Sequence, residues 1–322
     1  MMSNDINTRE SIVRIKVIGA GGGGTNAVNR MITDEVDNVD FIVVDTNAVS
    51  ASKAKAPCII QIGENEAKGI GAGAKPEVGK KSAQENIEEI KTQLINTDLL
   101  FLTAGMGGGT GTGALPIIAQ VAREMGILTI GIVTKPFKFE GKTRLNNAEE
   151  GIKNLKEHVN SLIVVDNDKL LNMSKEEIPI VNAFKQADNI LKQGIVGITD
   201  ILTTAGEINI DFADISTILN IKGQAYMGIG SAFGDDALSN ATHKAIENPL
   251  TTVSINGAKG VIFNVQGSRE LSLAEINSSV SIINEIVDED ANIIFGTVIN
   301  DELEDQVIVT VIATGVDSEN KW

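Results

Sequence analysis

The chain has 322 residues, with 43 acidic against 27 basic side chains for a net charge of −16, 42% hydrophobic content and only 3% aromatics. A surface this acidic repels phosphate backbones and offers no base-stacking platform, which excludes nucleic acid as a main partner. No apolar run is long enough to cross a bilayer, the polar start "MMSNDINTRESI" has no leader-like stretch, and the lone Cys58 can form no internal disulfide, so a cytoplasmic chain without direct membrane insertion is expected.

The elements alternate from the start. "IVRIKVIG" (12–19) reads as a buried strand, "TNAVNRMITDEV" as a helix and "DFIVVD" (40–45) as a second strand. "LLFLTA" (99–104), "LTIGIVTK" (128–135) and "SLIVVD" (161–166) are further strands, with helical stretches near 82–95, 114–125 and 146–157. Strands separated by helices of this length predict an α/β fold with a doubly wound, mostly parallel sheet. A long helix follows over 181–204, striped by Phe184, Ala187, Leu191, Ile195 and Ile198, and interrupted by Gly194 and Gly197 where close packing against a neighbour is expected. After a glycine-rich stretch around 223–234 come the strand "GVIFNVQG", a helix opened by the capping box Ser272-x-x-Glu275 and striped by Ile276, Val280, Ile283 and Val287, and the strands "NIIFGTVI" and "QVIVTVIATG". These predict a smaller α+β C-terminal domain. The organisation expected is a tail (1–11), a nucleotide-binding domain (12–180), a central helix (181–204), a second domain (205–316) and a tail (317–322). His158 and His243 are too far apart in sequence for a zinc site or a histidine triad to be expected, and read as helix-face residues.

Two glycine-rich segments carry the chemistry. In the first, Gly19, Gly21 and Gly24 make a GxGxxG between strand and helix, and Asp45 ends the next strand where a ribose-binding acid belongs in a dinucleotide enzyme. Alone, this predicts an NAD(P)-dependent oxidoreductase. The second, Gly107-Gly108-Gly109-Thr110-Gly111-Thr112-Gly113, also runs into a helix, with Pro116 in its first turn. Two sets of converging amides, two helix N-termini and added threonine hydroxyls at one sheet edge suit a triphosphate better than one pyrophosphate. No GxxxxGK[ST] segment occurs, so this is not a P-loop.

"GGGTGTG" (107–113) resembles the signature of the tubulin/FtsZ GTPase family. "IKVIGAGGGGTNAV", "GIGAGAKPEVGK", "GILTIGIVTKPFKFEGKTR", "NDKLL", "ADNIL" and "NIDFADI" resemble its bacterial FtsZ branch in order and spacing, over about residues 12–316. The resemblance implies GTP/GDP as ligand, Mg2+ on its phosphates with no metal-binding protein side chain assigned, and a monovalent cation as a further candidate. It implies that Gly22, Gly23, Gly24, Thr25 and Asn26, with Gly105, Gly107, Gly108, Gly109, Thr110, Gly111 and Thr112, hold the phosphates, that Ala72 and Gly73 lie near the third phosphate, and that Asp45 stays close by. Glu140 then bonds the ribose, Arg144 lies at the nucleotide edge, Phe184 adds a contact, and Asn167 and Asp188 read guanine. A carboxylate can accept both the N1–H and the 2-amino hydrogens of guanine, donors that adenine lacks at that edge.

Neither glycine segment contains a general base. By resemblance, Asn209, Asp211 and Asp214 on a short turn within 207–215 complete the site of a neighbouring subunit, the two aspartates polarising water. The implied protein is a GTPase that stacks head to tail into division-ring filaments at midcell, with itself and other division proteins as partners. Two departures stand out: Asp45-Thr46-Asn47 replaces the family's Asn-Thr-Asp, and Thr25 replaces a frequent glycine. The first keeps open a filament subunit that binds GTP but hydrolyses it poorly. Family members usually continue into a linker and a peptide that binds membrane-tethering proteins; this sequence stops at Trp322, so that recruitment is not expected of it.

Overall fold

A computed structural model describes residues 13–173, 179–204, 210–221, 224–247, 251–269 and 271–316. Six parallel strands form the first sheet: β1 (Ile15–Ala20), β2 (Val39–Asp45), β3 (Cys58–Gln61), β4 (Leu99–Gly105), β5 (Leu128–Lys135) and β6 (Ser161–Asp166), in the order β3-β2-β1-β4-β5-β6. Burial on both faces explains their near-continuous apolar runs. Along β4 the pleat sends Leu99 and Phe101 into one core and Leu100 and Leu102 into another.

The connecting helices are α1 (Gly21–Thr33), α2 (Ala48–Ala51), α3 (Pro76–Glu85), α4 (Ile87–Leu94), α5 (Thr110–Glu124), α6 (Lys142–Lys156) and α7 (Asn167–Met173). The expected helix over 82–95 is two helices meeting at Asn86, whose side-chain oxygen accepts the Gly63 N–H. α1 and α5 begin inside the glycine runs, four residues earlier than the apolar periodicity indicated. α3 crosses α5 backbone to backbone: a Cβ at Gly79 would stand 2.3 Å from the Gly109 carbonyl oxygen. Gly79→Ala is therefore expected to cost about 1–3 kcal/mol by overpacking and to lower the melting temperature by several degrees in a thermal unfolding scan.

The long helix α8 (Ile180–Thr203) lies between the two sheets. Its Leu191, Ile195, Ile198 and Ile201 share one core with Val17, Phe101 and Ile132 of the first sheet and Met227, Ile262 and Ile312 of the second. Gly194 and Gly197 serve close packing, because a Cβ on either would stand 3.0 Å from Met227 and Thr310 respectively. Phe184, read as part of the apolar stripe, is instead 41% exposed at the end of the helix nearest the glycine segments.

Next come α9 (Phe212–Leu219), β7 (Gln224–Phe233), α10 (Ala237–Ile246), β8 (Gly260–Gly267), α11 (Leu273–Asn284), β9 (Asn292–Ile299) and β10 (Gln306–Val316). They build a smaller mixed sheet, β7-β10-β8-β9, with β10 antiparallel to both neighbours and β8 parallel to β9. Ser272 and Glu275 form the expected capping box on α11. The segment expected as a turn carrying Asp211 and Asp214 is partly helical: the Asp211 carboxylate caps α9 by accepting the Asp214 N–H at 2.8 Å. Among the described residues no helix is long and apolar enough to cross a membrane.

Candidate functional site

In a sheet of this order the chain reverses winding direction between β1 and β4, and the crevice beyond their carboxyl ends is where ligands bind. The two glycine segments follow these two strands. They meet there backbone to backbone, since a Cβ on Gly23 would stand 2.9 Å from the Gly105 nitrogen, and Gly21 adopts φ +67° at the same junction. α1 and α5 thus point their N-termini, whose first amides have no intrahelical acceptor, into one cleft. Gly22 and Gly108 have no heavy atom within 4 Å of a would-be Cβ, so their backbone is open to a ligand.

The cleft, about 330 Å3, brings together Gly22, Gly23, Asn26, Gly105, Gly108, Gly109, Thr110 and Gly111 at one end and Glu140, Arg144, Asn167, Phe184 and Asp188 at the other. Two other clefts, of about 490 and 560 Å3, lie over α5 and α6; of the candidate residues they contain only Thr112, so size does not select the site. Glu140 accepts the Phe137 N–H and pairs with Arg144, which fixes both at the rim. Asn167 lines the cleft at 4% exposure, and its buried side-chain oxygen has no hydrogen-bond partner. An orphaned buried acceptor is costly and marks a place where a ligand donor fits. Burial pushes the Asp188 carboxyl up to about 6, against the pull of the Arg30 guanidinium on α1.

Phe184 belongs to an aromatic group that the sequence reading missed. Phe137 stacks on Phe139 at 5.0 Å between ring centroids, and both meet Phe184 edge-on. Of the three, Phe184 lines the cleft beside Asn167 and Asp188 as an apolar face suited to a flat base, with the buried Phe137 and the exposed Phe139 packed against it. The signal was present as Phe137 and Phe139 flanking Lys138, close ahead of Glu140.

Other candidates do not line the cleft. Gly24 packs against β4, where a Cβ would stand 2.6 Å from the Thr103 carbonyl oxygen, and Thr25 is buried behind it. Gly107 and Thr112 shape the loop from within, the Gly107 N–H donating to Thr112 Oγ1 at 2.8 Å. Asp45 is 2% exposed, its Oδ1 accepting the Asn47 N–H at 3.1 Å. Its Oδ2 is buried without a hydrogen-bond partner, and the side chain does not line the cleft, so the cleft lends the dinucleotide reading's second element no support. Ala72 and Gly73 stand at the rim in a loop beside Gly109: Ala72 Cβ lies 2.6 Å from where a Cβ on Gly109 would be.

Asp211 and Asp214 are both exposed and also absent from the cleft. α9 ends at the start of β6, where Ser161 Oγ donates to the Leu219 carbonyl at 2.9 Å and Asn160 donates to Asn220. That is the amino-terminal edge of the parallel sheet, opposite the glycine segments. Asn209 lies outside the described residues. Among the described residues no group of three or more histidine, cysteine, aspartate or glutamate side chains could hold a metal ion.

Comparison with known proteins supplies the family. Residues 14–175 match the GTPase domain of the Tubulin/FtsZ family and residues 223–317 match the FtsZ family C-terminal domain. The FtsZ of M. jannaschii, solved as an empty dimer, is 37% identical over 95% of this chain and 89% of its own, with a TM-score of 0.89. CetZ1 from Haloferax volcanii, a GDP-bound monomer, is 22% identical, and CetZ2 from the same organism, a GTPγS-bound protofilament, is 17% identical; both share the fold at a TM-score of 0.81 over 95% of this chain, covering 95% and 94% of their own. With matches to both domains and two glycine-lined helix N-termini meeting at the switch point, this chain belongs to the tubulin/FtsZ GTPase family, on its FtsZ side.

Proposed function

We propose that the cleft binds GTP, that subunits stack head to tail, and that hydrolysis takes place where one subunit's Asp211 and Asp214 meet the next subunit's cleft. The observation that carries this reading is the division of the groups between opposite edges of the first sheet. The cleft offers amides for phosphate and acceptors for guanine, yet neither of its carboxylates is placed to act on water: Glu140 is paired with Arg144, and Asp188 lies at the base end. The exposed aspartates of α9 do not line the cleft. A head-to-tail contact is heterologous and does not close, so it generates a filament. Residues 12–180 form the GTP-binding domain, 181–204 connect and add Phe184 and Asp188 to the cleft, and 205–316 supply the acids.

In this reading the amides of Gly22, Gly23, Gly108 and Gly109 hold phosphate oxygens, Asn167 and Asp188 hold the guanine edge, and the Phe184 wall covers the base. Among the described residues no cluster of acidic or histidine side chains could cage Mg2+, so the ion would be carried mainly on the phosphates, with the Thr110 hydroxyl as a candidate side-chain oxygen; it would supply charge neutralisation for phosphoryl transfer. A monovalent cation would also have to be held mainly by phosphate and backbone oxygens. Within a cell such a filament belongs in the cytoplasm at the division site, among other division proteins.

The test is phosphate release from GTP and Mg2+ over a protein concentration series, with ATP as control. Release from GTP alone, appearing above a threshold concentration and then rising steeply, is the expected result. A rate per molecule independent of concentration places the chemistry within one chain. Polymer that sediments without turnover identifies a hydrolysis-poor filament.

A further inference from the structure

We propose that Asn47 is a positioning residue that fixes the 69–74 loop against the glycine segment before nucleotide arrives, and so sets the preference for a third phosphate. The inference rests on the nucleotide reading above and extends it to a residue with no assigned role: the loop packs on Gly109 at the phosphate end of the cleft, just beyond the lining residues, where a longer phosphate chain would extend towards it.

Residues 45–47 sit where three phosphate-side segments converge. Thr46 is fully buried, and its hydroxyl lies 2.6 Å from that of Thr110 at the start of α5. Asp45 holds the bend by accepting the Asn47 N–H. The Asn47 side chain then acts in two directions. Its Oδ1 accepts the Ser50 N–H at 2.9 Å and caps α2, while its Nδ2 donates to the Ile70 carbonyl at 3.2 Å. The backbone adds an antiparallel bridge between Asn47 and Ile70, with the Ala48 N–H donating to Gly69 O at 2.9 Å.

These bonds are what anchors the loop on this side. Ile70 is 82% exposed, so its side chain buries nothing that would hold the segment down. Gly71, at φ +96°, lets the chain pass close over the Asn47 amide, where a Cβ would stand 3.3 Å from Nδ2. The turn delivers Ala72 inward, 5% exposed, against Gly109. The chemistry requires an amide at 47. A carboxylate could cap α2 but could not donate to a carbonyl, and a serine could cap but is too short to reach. A loop ordered in advance spares the ligand the entropy of ordering it, and only a ligand that reaches the loop benefits.

Asn47→Ser, which keeps the cap and loses the bond to Ile70, and Asn47→Ala, which loses both, decide the matter. In the nucleotide-free protein, amide hydrogen exchange over 69–74 is expected to quicken about tenfold or more in both variants. GDP affinity is expected to stay within about twofold, while GTPγS affinity falls about fivefold or more, so the ratio of the two drops. Wild-type exchange and ratio in Asn47→Ser would overturn the proposal. A change confined to Asn47→Ala would also overturn it, by assigning the effect to the cap. If wild-type protein binds neither nucleotide, the nucleotide reading fails by itself, and the exchange measurement still decides whether Asn47 positions the loop.

Discussion

Asp211→Asn is expected to lower steady-state GTP hydrolysis by about 10²–10⁴-fold while leaving nucleotide affinity within about twofold, the pattern of a group that acts on the attacking water and not on the bound substrate. Asparagine is the informative substitution. The Asp211 carboxylate also caps α9 through the Asp214 N–H, so alanine would remove a cap worth about 1 kcal/mol together with the charge. Asparagine still accepts that bond and isolates the chemical role. Asp214→Asn, in the first turn of α9 without the cap function, is expected to reduce turnover to a similar degree.

Mixing decides where the acids act. A double variant, Asp211→Asn with Asp214→Asn, keeps a sound cleft; Asp188→Asn keeps sound aspartates and is expected to have a deficient cleft. In an equal mixture about one contact in four pairs a sound cleft with sound aspartates, so activity recovers to roughly a quarter of wild type if the site is shared. If cleft and aspartates had to belong to one chain, no mixture would recover. The starting separation favours sharing: α9 meets the first sheet at Ser161, at the edge opposite Gly22 and Gly108.

Most of this architecture was legible in the sequence, because strands buried on both faces leave unmistakable apolar runs. "LTIGIVTK", "SLIVVD" and "GVIFNVQG" begin and end as β5, β6 and β8 do. The failures came from reading glycine as a breaker. Gly228 and Gly230 lie inside β7, two residues apart on the face that α10 covers, where a Cβ would stand within 2 Å of the Ala245 and Ala241 carbonyl oxygens. Alternate glycines there mark a strand pressed against a helix backbone. Likewise Gly21–Gly24 opens α1, since a helix that offers its first amides to a ligand has no use for side chains there. In the site, motifs located the glycine segments and the base-end residues. They did not distinguish residues that face the cleft from those that build its walls. Thr25, Asp45, Gly107 and Thr112 are of the second kind, and that difference depends on side-chain direction, which spacing does not encode.

Asp188→Asn is expected to weaken GTP binding by about a hundredfold or more while making the empty protein more stable at neutral pH. The first effect follows from donor and acceptor counts: a carboxylate accepts from both guanine donors, whereas an asparagine must present its NH2 to one of them. Xanthosine triphosphate carries an acceptor in place of the 2-amino group, so the variant is expected to shift its preference towards that nucleotide. The second effect follows from linkage. The folded carboxyl, raised to about 6 by burial in the empty cleft, ionises less readily than in the unfolded chain. Its destabilising contribution is absent below the unfolded value near 4, grows between there and about 6, and is complete above. Two pH units correspond to about 3 kcal/mol at most; partial exposure and the nearby Arg30 reduce the expected gain to about 1–2 kcal/mol. Urea unfolding of both proteins without nucleotide at pH 4 and pH 7 checks it: equal stability at the lower pH and a more stable variant at the higher. If the wild type is the more stable at pH 7, Asp188 is already satisfied in the empty protein, and guanine would have to displace that partner before Asp188 could read it.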